Sequence, residues 1–467
     1  MQSRLKNNEV ASRSRAVVAR QAHNLKVGGS IPSSATTMKK HLLFLLLLIN
    51  ALSVFAVERV SFSQLRADWS KYQNHAIQLT DPMVVCGSFY DSLILAPQRL
   101  FCPEECAEGL ADGDSAMYFQ RAEKNRAESI VLHCRNAYYK VRTGDIVCGL
   151  KARVTSERHL LTGKSITTRH TAKDRLPRPK KGELRVVGAN IENYFADLGG
   201  YAHKRTTPVQ QTLKTRKVVK ALRAMHADIF SFCEMQVGDK APQMLLDALD
   251  KKGSTYDYVS LGLSDKDRIG GSFIYNKKRV RPYAEWLSAL SDTTSHYYSR
   301  ILFQGFEELD KHGNGTGRKF IISLSHFKSK RPGRGGYDTN ARRVENADSM
   351  LAAIPQAVIL YGDSDILLLG DYNCYTQEAP IQKVVRAGYA DLLPHGSTND
   401  YSYNYKGESG YLDRCFGNPS MASQVLCVRP WHVNTDWYYQ HGAYKMKDKS
   451  LHRYADHDPI IVDIRLQ

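Results

Sequence analysis

Nine polar side chains of this sequence stand at the ends of short apolar runs. Val187-Gly188-Ala189 runs into Asn190, Ile229-Phe230-Ser231-Phe232-Cys233 into Glu234, and Ile321-Ile322-Ser323-Leu324-Ser325 into His326. Leu367-Leu368-Leu369-Gly370 runs into Asp371-Tyr372-Asn373, Tyr411-Leu412 into Asp413, and Asp456-His457-Asp458 precedes Ile460-Ile461-Val462. A polar group at the buried end of a strand is costly unless it serves a ligand or another polar group. Singly, each has an ordinary explanation: a turn Asp or Asn, a surface Glu, a satisfied core His. Together they make a set able to bind a hard cation and hydrolyse a phosphodiester. Glu234, helped by Asn190 and Asp456, supplies oxygen donors suited to Mg²⁺, with Mn²⁺ or Ca²⁺ as alternatives. Such an ion withdraws charge from a phosphoryl group. His326 and His457 can donate protons or hydrogen bonds to the phosphate, because imidazole titrates near neutrality.

The order of these motifs resembles the endonuclease/exonuclease/phosphatase (DNase I-like) superfamily, in its branch of secreted modular bacterial nucleases. Val187-Gly188-Ala189-Asn190-Ile191-Glu192-Asn193 is similar to the opening motif, and Asp228 to Glu234 to the metal-binding strand. Ser325-His326-Phe327-Lys328, Gly370-Asp371-Tyr372-Asn373 and Ala455-Asp456-His457-Asp458 resemble the later motifs, the last with Ala455 where the family has Ser. The run from Ser402 to Asp413 and Trp431-His432-Val433-Asn434 resemble the secreted branch. The resemblance implies that Asp371 orients or deprotonates the attacking water and that Asn373 bonds a phosphate oxygen. It implies that Asp413 orients His457 and that Arg300 reaches a phosphate. Lys328, Lys330, Arg331 and Arg334 follow His326 among glycines, and a flexible basic loop beside the scissile bond suits a nucleic-acid backbone.

The elements that must position these residues are legible from Leu184 onward. Strands are expected at 184–189, 229–233, 272–275, 320–325, 366–369 and 460–466, and helices near 241–251, 340–353 and 379–387. Thr207-Pro208 reads as a helix start, a capping Thr before a Pro at the first position. Val209, Leu213, Val219, Leu222 and Met225 approximate one face of that helix. Mixed strands and helices over residues 184–467 give an α/β class, sheets inside and helices outside, and the resemblance implies the four-layer DNase I-like sandwich. Residues 57–165 carry short strand candidates at 76–80, 83–85, 92–95, 129–132 and 145–154, without a long helical pattern. They read as a small β-barrel of the oligonucleotide-binding (OB) type. Residues 166–183, basic and punctuated by Pro, read as a linker.

Residues 1–37 are polar and aperiodic, and the run around 21–30 looks like a translated transfer-RNA gene, so they are expected to be a mis-annotated extension. Residues 38–56, with Lys39-Lys40, an apolar run and small residues before Val57, read as a secretory signal peptide. The chain from Val57 keeps a formal +11 of the total +18, since residues 1–56 hold eight Lys/Arg and one Glu. That balance favours a polyanion: DNA, with RNA as a second substrate. No stretch after residue 56 reads as a membrane span, and nothing marks a stable protein partner. Export would favour disulfides among the nine cysteines over a zinc site at Cys102, Cys106 and His133-Cys134. A lipid-directed phosphodiesterase on the same scaffold would want an exposed apolar hairpin, where this chain has basic and Tyr-rich loops. A catalytically dead binding module would have lost motif residues, and none is missing.

Overall fold

The computed structural model describes residues 57–89, 91–106, 115–134, 141–164, 166–170, 175–198, 206–331, 339–393, 401–437 and 449–467. The expected extension (1–37) and signal peptide (38–56) lie outside them, as does Arg334. Glu58–Gln467 forms one compact unit.

From Leu184 the chain builds two six-stranded sheets. The strand Leu184–Tyr194 is buried on both faces along most of its length, the pattern of a central strand, and pairs in parallel with Ile229–Val237. The parallel pair needs a crossover, which the helix Pro208–Met225 supplies. That helix starts where expected: Thr207 Oγ1 accepts from the Gln210 N–H, and Gln210 Oε1 accepts from the Thr207 N–H, a reciprocal cap. Its buried face differs from the expected one. Val219, Leu222 and Met225 are buried as expected, but Val209 is 68% exposed, and Val218, Lys214 and Lys217 are buried in addition. The first sheet runs in the order Tyr256–Tyr258, Lys266–Asn276, Ile229–Val237, Leu184–Tyr194, Ile460–Ile464, Val425–Pro430. The second runs Val280–Ser288, Ile301–Leu309, Gly315–His326, Ile366–Asp371, Asp413–Gly417, Ala390–Asp391. Its central pair, Gly315–His326 with Ile366–Asp371, is also parallel and is crossed by the helix Thr339–Tyr361.

The two sheets face each other through Val186, Phe273 and Val462 on one side and Phe306, Ile322, Leu324 and Leu369 on the other. Pro208–Met225 and Lys240–Leu249 cover the outside of the first sheet, and Thr339–Tyr361 and Ala379–Arg386 the outside of the second. Helix, sheet, sheet and helix make four layers, the DNase I-like sandwich. Each fully buried Leu, Ile or Phe in these layers contributes about 1.5–3 kcal/mol relative to exposure.

In the N-terminal part, Ala76–Leu79 and Met83–Phe89 are two pieces of one bent stretch. The first pairs with Lys151–Ser156 and the second with Ser92–Ala96. Pairing continues through Ile130–Cys134 and His159–Thr162 and returns to Lys151–Ser156, around a core of Ile77, Leu93, Leu132 and Leu160. One helix there, Ser115–Ala127, was not expected. Thr168–Arg169, inside the stretch read as linker, pairs with Ile146–Val147. Leu100–Phe101 joins the hairpin Tyr403–Tyr405 and Glu408–Gly410 as a third strand. Eight cysteines are free thiols, the Cys106 side chain being outside the description, so the expected cross-link is not found among the described residues. Cys102 packs on Tyr375 and Leu412 while Cys134 sits in the core of the strand ring, so they do not share the zinc site weighed from their spacing.

Candidate active site

The end of Leu184–Tyr194 is bent into a cradle. The register with the neighbouring strand slips between Asn190 and Tyr194, and Glu192 and Asn193 both take left-handed backbone, φ 51° and 52°. Glu234, at the matching end of the next strand, has φ 61°. Non-glycine residues rarely adopt this conformation, and such strain is held where a site requires it. Asn190 Oδ1 accepts from the Glu192 N–H at 2.9 Å, and Glu234 Oε2 accepts from the Asn193 N–H at 3.0 Å. The buried Lys214 ammonium donates to the Glu192 carbonyl from behind. The bulge thus turns two carboxylates and an amide toward one point.

The second sheet meets that point with a row of three side chains. His326 is paired in register with Asp371, and Asp371 with Asp413, on three adjacent strands. Asp371 Oδ2 accepts from Asn190 Nδ2 at 3.1 Å and from Asn373 Nδ2 at 3.1 Å, and Oδ1 from the Asn373 N–H at 2.8 Å. His326 Nε2 lies 3.7 Å from Asp371 Oδ2 and 3.8 Å from Glu234 Oε1. His457 Nδ1 is 2.7 Å from Asp413 Oδ2, which also accepts from the Ser402 hydroxyl at 2.7 Å. Its Nε2 faces Asp371 Oδ2 at 4.0 Å.

Burial acts on every ionisable group here, and neighbours decide the outcome. It pushes the Asp371 carboxyl up to about 7, with the His457 imidazole opposing. Burial, then the Asp456 charge, pushes Glu192 up to about 7 and raises Glu234 as well. Burial and then Arg300 hold His326 well below its usual value, so its imidazole is neutral. In His457 burial favours the neutral ring, but Asp413 and Asp371 outweigh it and raise the imidazole well above its usual value.

Two donor groups could hold a cation. Asp371, Asp413 and His457 lie together, but the 2.7 Å bond between His457 and Asp413 leaves no room for an ion between them. Glu234, Glu192, Asn190 and Asp456 fit better. Burial and mutual repulsion raise both glutamates, and Asp456 Oδ1 is buried without a hydrogen-bond partner. A dication would relieve both conditions.

Among the expected phosphate-binding residues, Arg300 is mostly buried, its Nε has no hydrogen-bond partner, and its guanidinium lies 5.1 Å from the Tyr297 ring centre. Lys328 is half-buried and bonds Ser329. Lys330 is paired with Glu378 and lies over the Tyr375 ring, so less of its charge faces solvent than the loop reading implies. Sequence reasoning gave no role to Glu192, Lys214, Ser402 or Asp458. Glu192 stood in the quoted opening motif, and Asp458 directly follows His457. Asp458 accepts from the Asn434 and Thr435 N–H groups at 2.8 and 2.9 Å, fixing the loop beside His457.

Two stacked sheets, flanked by helices and carrying carboxylates and imidazoles at one end, define a phosphoester hydrolase of the DNase I-like kind. Residues 189–436, more than half of the chain, match the model of the endonuclease/exonuclease/phosphatase family. The chain belongs to that family of metal-dependent phosphoesterases. Among solved structures it is similar to an endonuclease/exonuclease/phosphatase from Bacteroides vulgatus, with 14% identity and a TM-score of 0.42 over 62% of this chain and 100% of that one. It is also similar to truncated Caenorhabditis elegans TDP2, with 15% identity and a TM-score of 0.39 over 61% of this chain and 97% of that one. No curated protein sequence matches the chain. Among the described residues, no helix is long and apolar enough to cross a membrane.

Proposed function

We propose that this protein is a secreted, Mg²⁺-dependent nuclease that hydrolyses phosphodiester bonds of DNA, and of RNA as a second substrate. The observation that carries the reading is the convergence of Glu234, His326, Asp371 and His457 on one point, with Asp413 behind His457. Glu234, Asn190 and Asp456 would hold the dication, which when bound offsets negative charge on the phosphate. Asp371, titrating near neutrality, is poised to take a proton from water. His457 presents a charged N–H and His326 a neutral one, the two hydrogen bonds that a phosphate flanked by them would receive. Asn373 donates its side-chain amide to Asp371 at 3.1 Å and to the Phe327 carbonyl at 3.2 Å, which supports its place beside the phosphate. Arg300 and Lys328 give the rim beside His326 a positive charge suited to a phosphate backbone, continued in sequence by Arg331 and Arg334. The run of short paired strands around one apolar core in the N-terminal part supports its reading as an OB-type barrel that helps hold the strand. Export rests on residues 38–56.

The test is one purification from culture medium. The protein should begin at Val57 and nick plasmid DNA with Mg²⁺ present. Excess EDTA, or Glu234→Ala in a folded protein, should abolish the nicking. Full activity in EDTA would remove the metal from the mechanism, and a protein retained in the cell with residues 1–56 intact would remove export.

A further inference from the structure

One carboxylate from the N-terminal part touches the loop that follows the Asp371 strand and the segment that enters the Asp413 strand. Leu100–Phe101 pairs in parallel with Glu408–Ser409, and the Cys102 N–H donates to the Ser409 carbonyl at 2.8 Å. The short helix Pro103–Cys106 then brings Glu105 behind the active site. Glu105 Oε1 accepts from the Tyr411 N–H at 2.6 Å and lies 3.7 Å from Arg414 Nη2. Its other oxygen accepts from the Thr376 N–H at 3.3 Å and from the Thr376 hydroxyl. Tyr411 and Arg414 flank Asp413, while Thr376 lies just beyond Asp371 and Asn373. The fully buried Arg414 closes the knot by donating to Thr376 Oγ1 at 2.9 Å and to the Tyr411 carbonyl at 2.8 Å.

We propose that Glu105 is a positioning residue of the active site, a clamp that keeps Asp371 and Asp413 in register so that His457 stays bonded to one and faces the other. The proposal rests on the reading of Asp371, Asp413 and His457 as the catalytic group. The physical reason is the narrow tolerance of that group: a misplacement of about 1 Å can cost about 10²-fold in rate. Glu105 touches none of the reacting groups itself. Removing its charge leaves Arg414 buried with one anion fewer and frees the two loops from each other.

The experiment uses the full chain with Mg²⁺, assayed on plasmid DNA and on bis(4-nitrophenyl) phosphate. Glu105→Gln should lower kcat on both substrates by about 10- to 100-fold, with KM for plasmid little changed, and Glu105→Asp should recover part of the loss. In a His457→Ala background, Glu105→Gln should cost clearly less than in the parent, because one member of the group that the clamp holds is already removed. Parental kcat in folded Glu105→Gln, or the same fold loss in both backgrounds, overturns the proposal. His457→Ala with parental activity would instead overturn the catalytic reading beneath it. If Glu105→Gln does not fold, Thr376→Val carries the test: a loss in kcat that shrinks beside His457→Ala supports the clamp, and no loss, or an equal one in both backgrounds, overturns it.

Discussion

His326 and His457 stand on either side of one Asp371 oxygen, 3.7 and 4.0 Å away, and differ in charge because of what lies behind them. Behind His457 is Asp413, at 2.7 Å; among the described residues the His326 Nδ1 is buried without a partner, carboxylate or other. Replacing His457 with Ala should lower kcat by about 10²–10⁴, the usual scale for an acid–base group. Asp413→Ala should act through His457. With Asp413 gone, burial is less strongly opposed, so the alkaline limb of the pH–rate profile should move to lower pH. The double variant should be little slower than His457→Ala alone, and full additivity in single-turnover rates would give Asp413 a separate task. Much of this site was legible because its members are polar residues at strand ends, where their cost announces a use. Glu192 and Lys214 were not, for a physical reason. Glu192 matters through a two-residue backbone bulge that no periodicity encodes, and Lys214 lies on a helix position that propensity assigns to solvent.

The strands that hold these residues come so close at the site that side chains are excluded between them. Gly370 sits in register with Ser325, one residue before both Asp371 and His326, at φ 149°. A Cβ there would run into the Ser325 backbone. Gly370→Ala should therefore destabilise the fold by about 1–3 kcal/mol, read as a lower midpoint in urea. It should also lower activity at temperatures where the variant is still folded, because the displaced strands carry Asp371 and His326. An unchanged midpoint would mean that the strands can part without penalty. At this scale the sequence is readable where a local signal exists. Thr207-Pro208 starts its helix as expected, because the cap is encoded by two residues and Gln210. Ile301–Leu309 was missed because every residue of it is buried, which erases alternation, and Val280–Ser288 because a slip in its pairing between Tyr283 and Leu287 breaks its period. The face of Pro208–Met225 was misjudged for a third reason: lysines bury their stems and deliver the ammonium to the carbonyls of Glu192 and His452.

At the scale of the molecule, a basic protein of formal charge +18 keeps a largely buried cluster of acids at one end of its paired sheets. That inversion has a thermodynamic consequence. Asp371 and Glu192 rise from 3.8 and 4.5 to about 7, and Glu234 rises with them. For a carboxyl raised in the folded state, the folded form binds more protons than the unfolded one at intermediate pH. Its contribution to stability is full below the unfolded value and is lost as pH climbs through about 7. His457, held above its usual 6.5, loses its contribution in the same direction at higher pH, while the lowered His326 acts oppositely, favouring the fold above 6.5. The acids outnumber the single opposing imidazole, so in EDTA the cluster weakens the fold on going from acid to neutral pH. A dication bound by Glu234, Asn190 and Asp456 compensates the charge that appears, and it competes with protons for the same oxygens. Mg²⁺ should therefore raise Tm, measured by differential scanning fluorimetry against EDTA, more at about pH 7.5 than at about pH 5. Glu234→Ala should flatten that difference. An equal Mg²⁺ shift at both pH values, or one that survives Glu234→Ala, would place the ion away from the acids that the fold gathers at the strand ends.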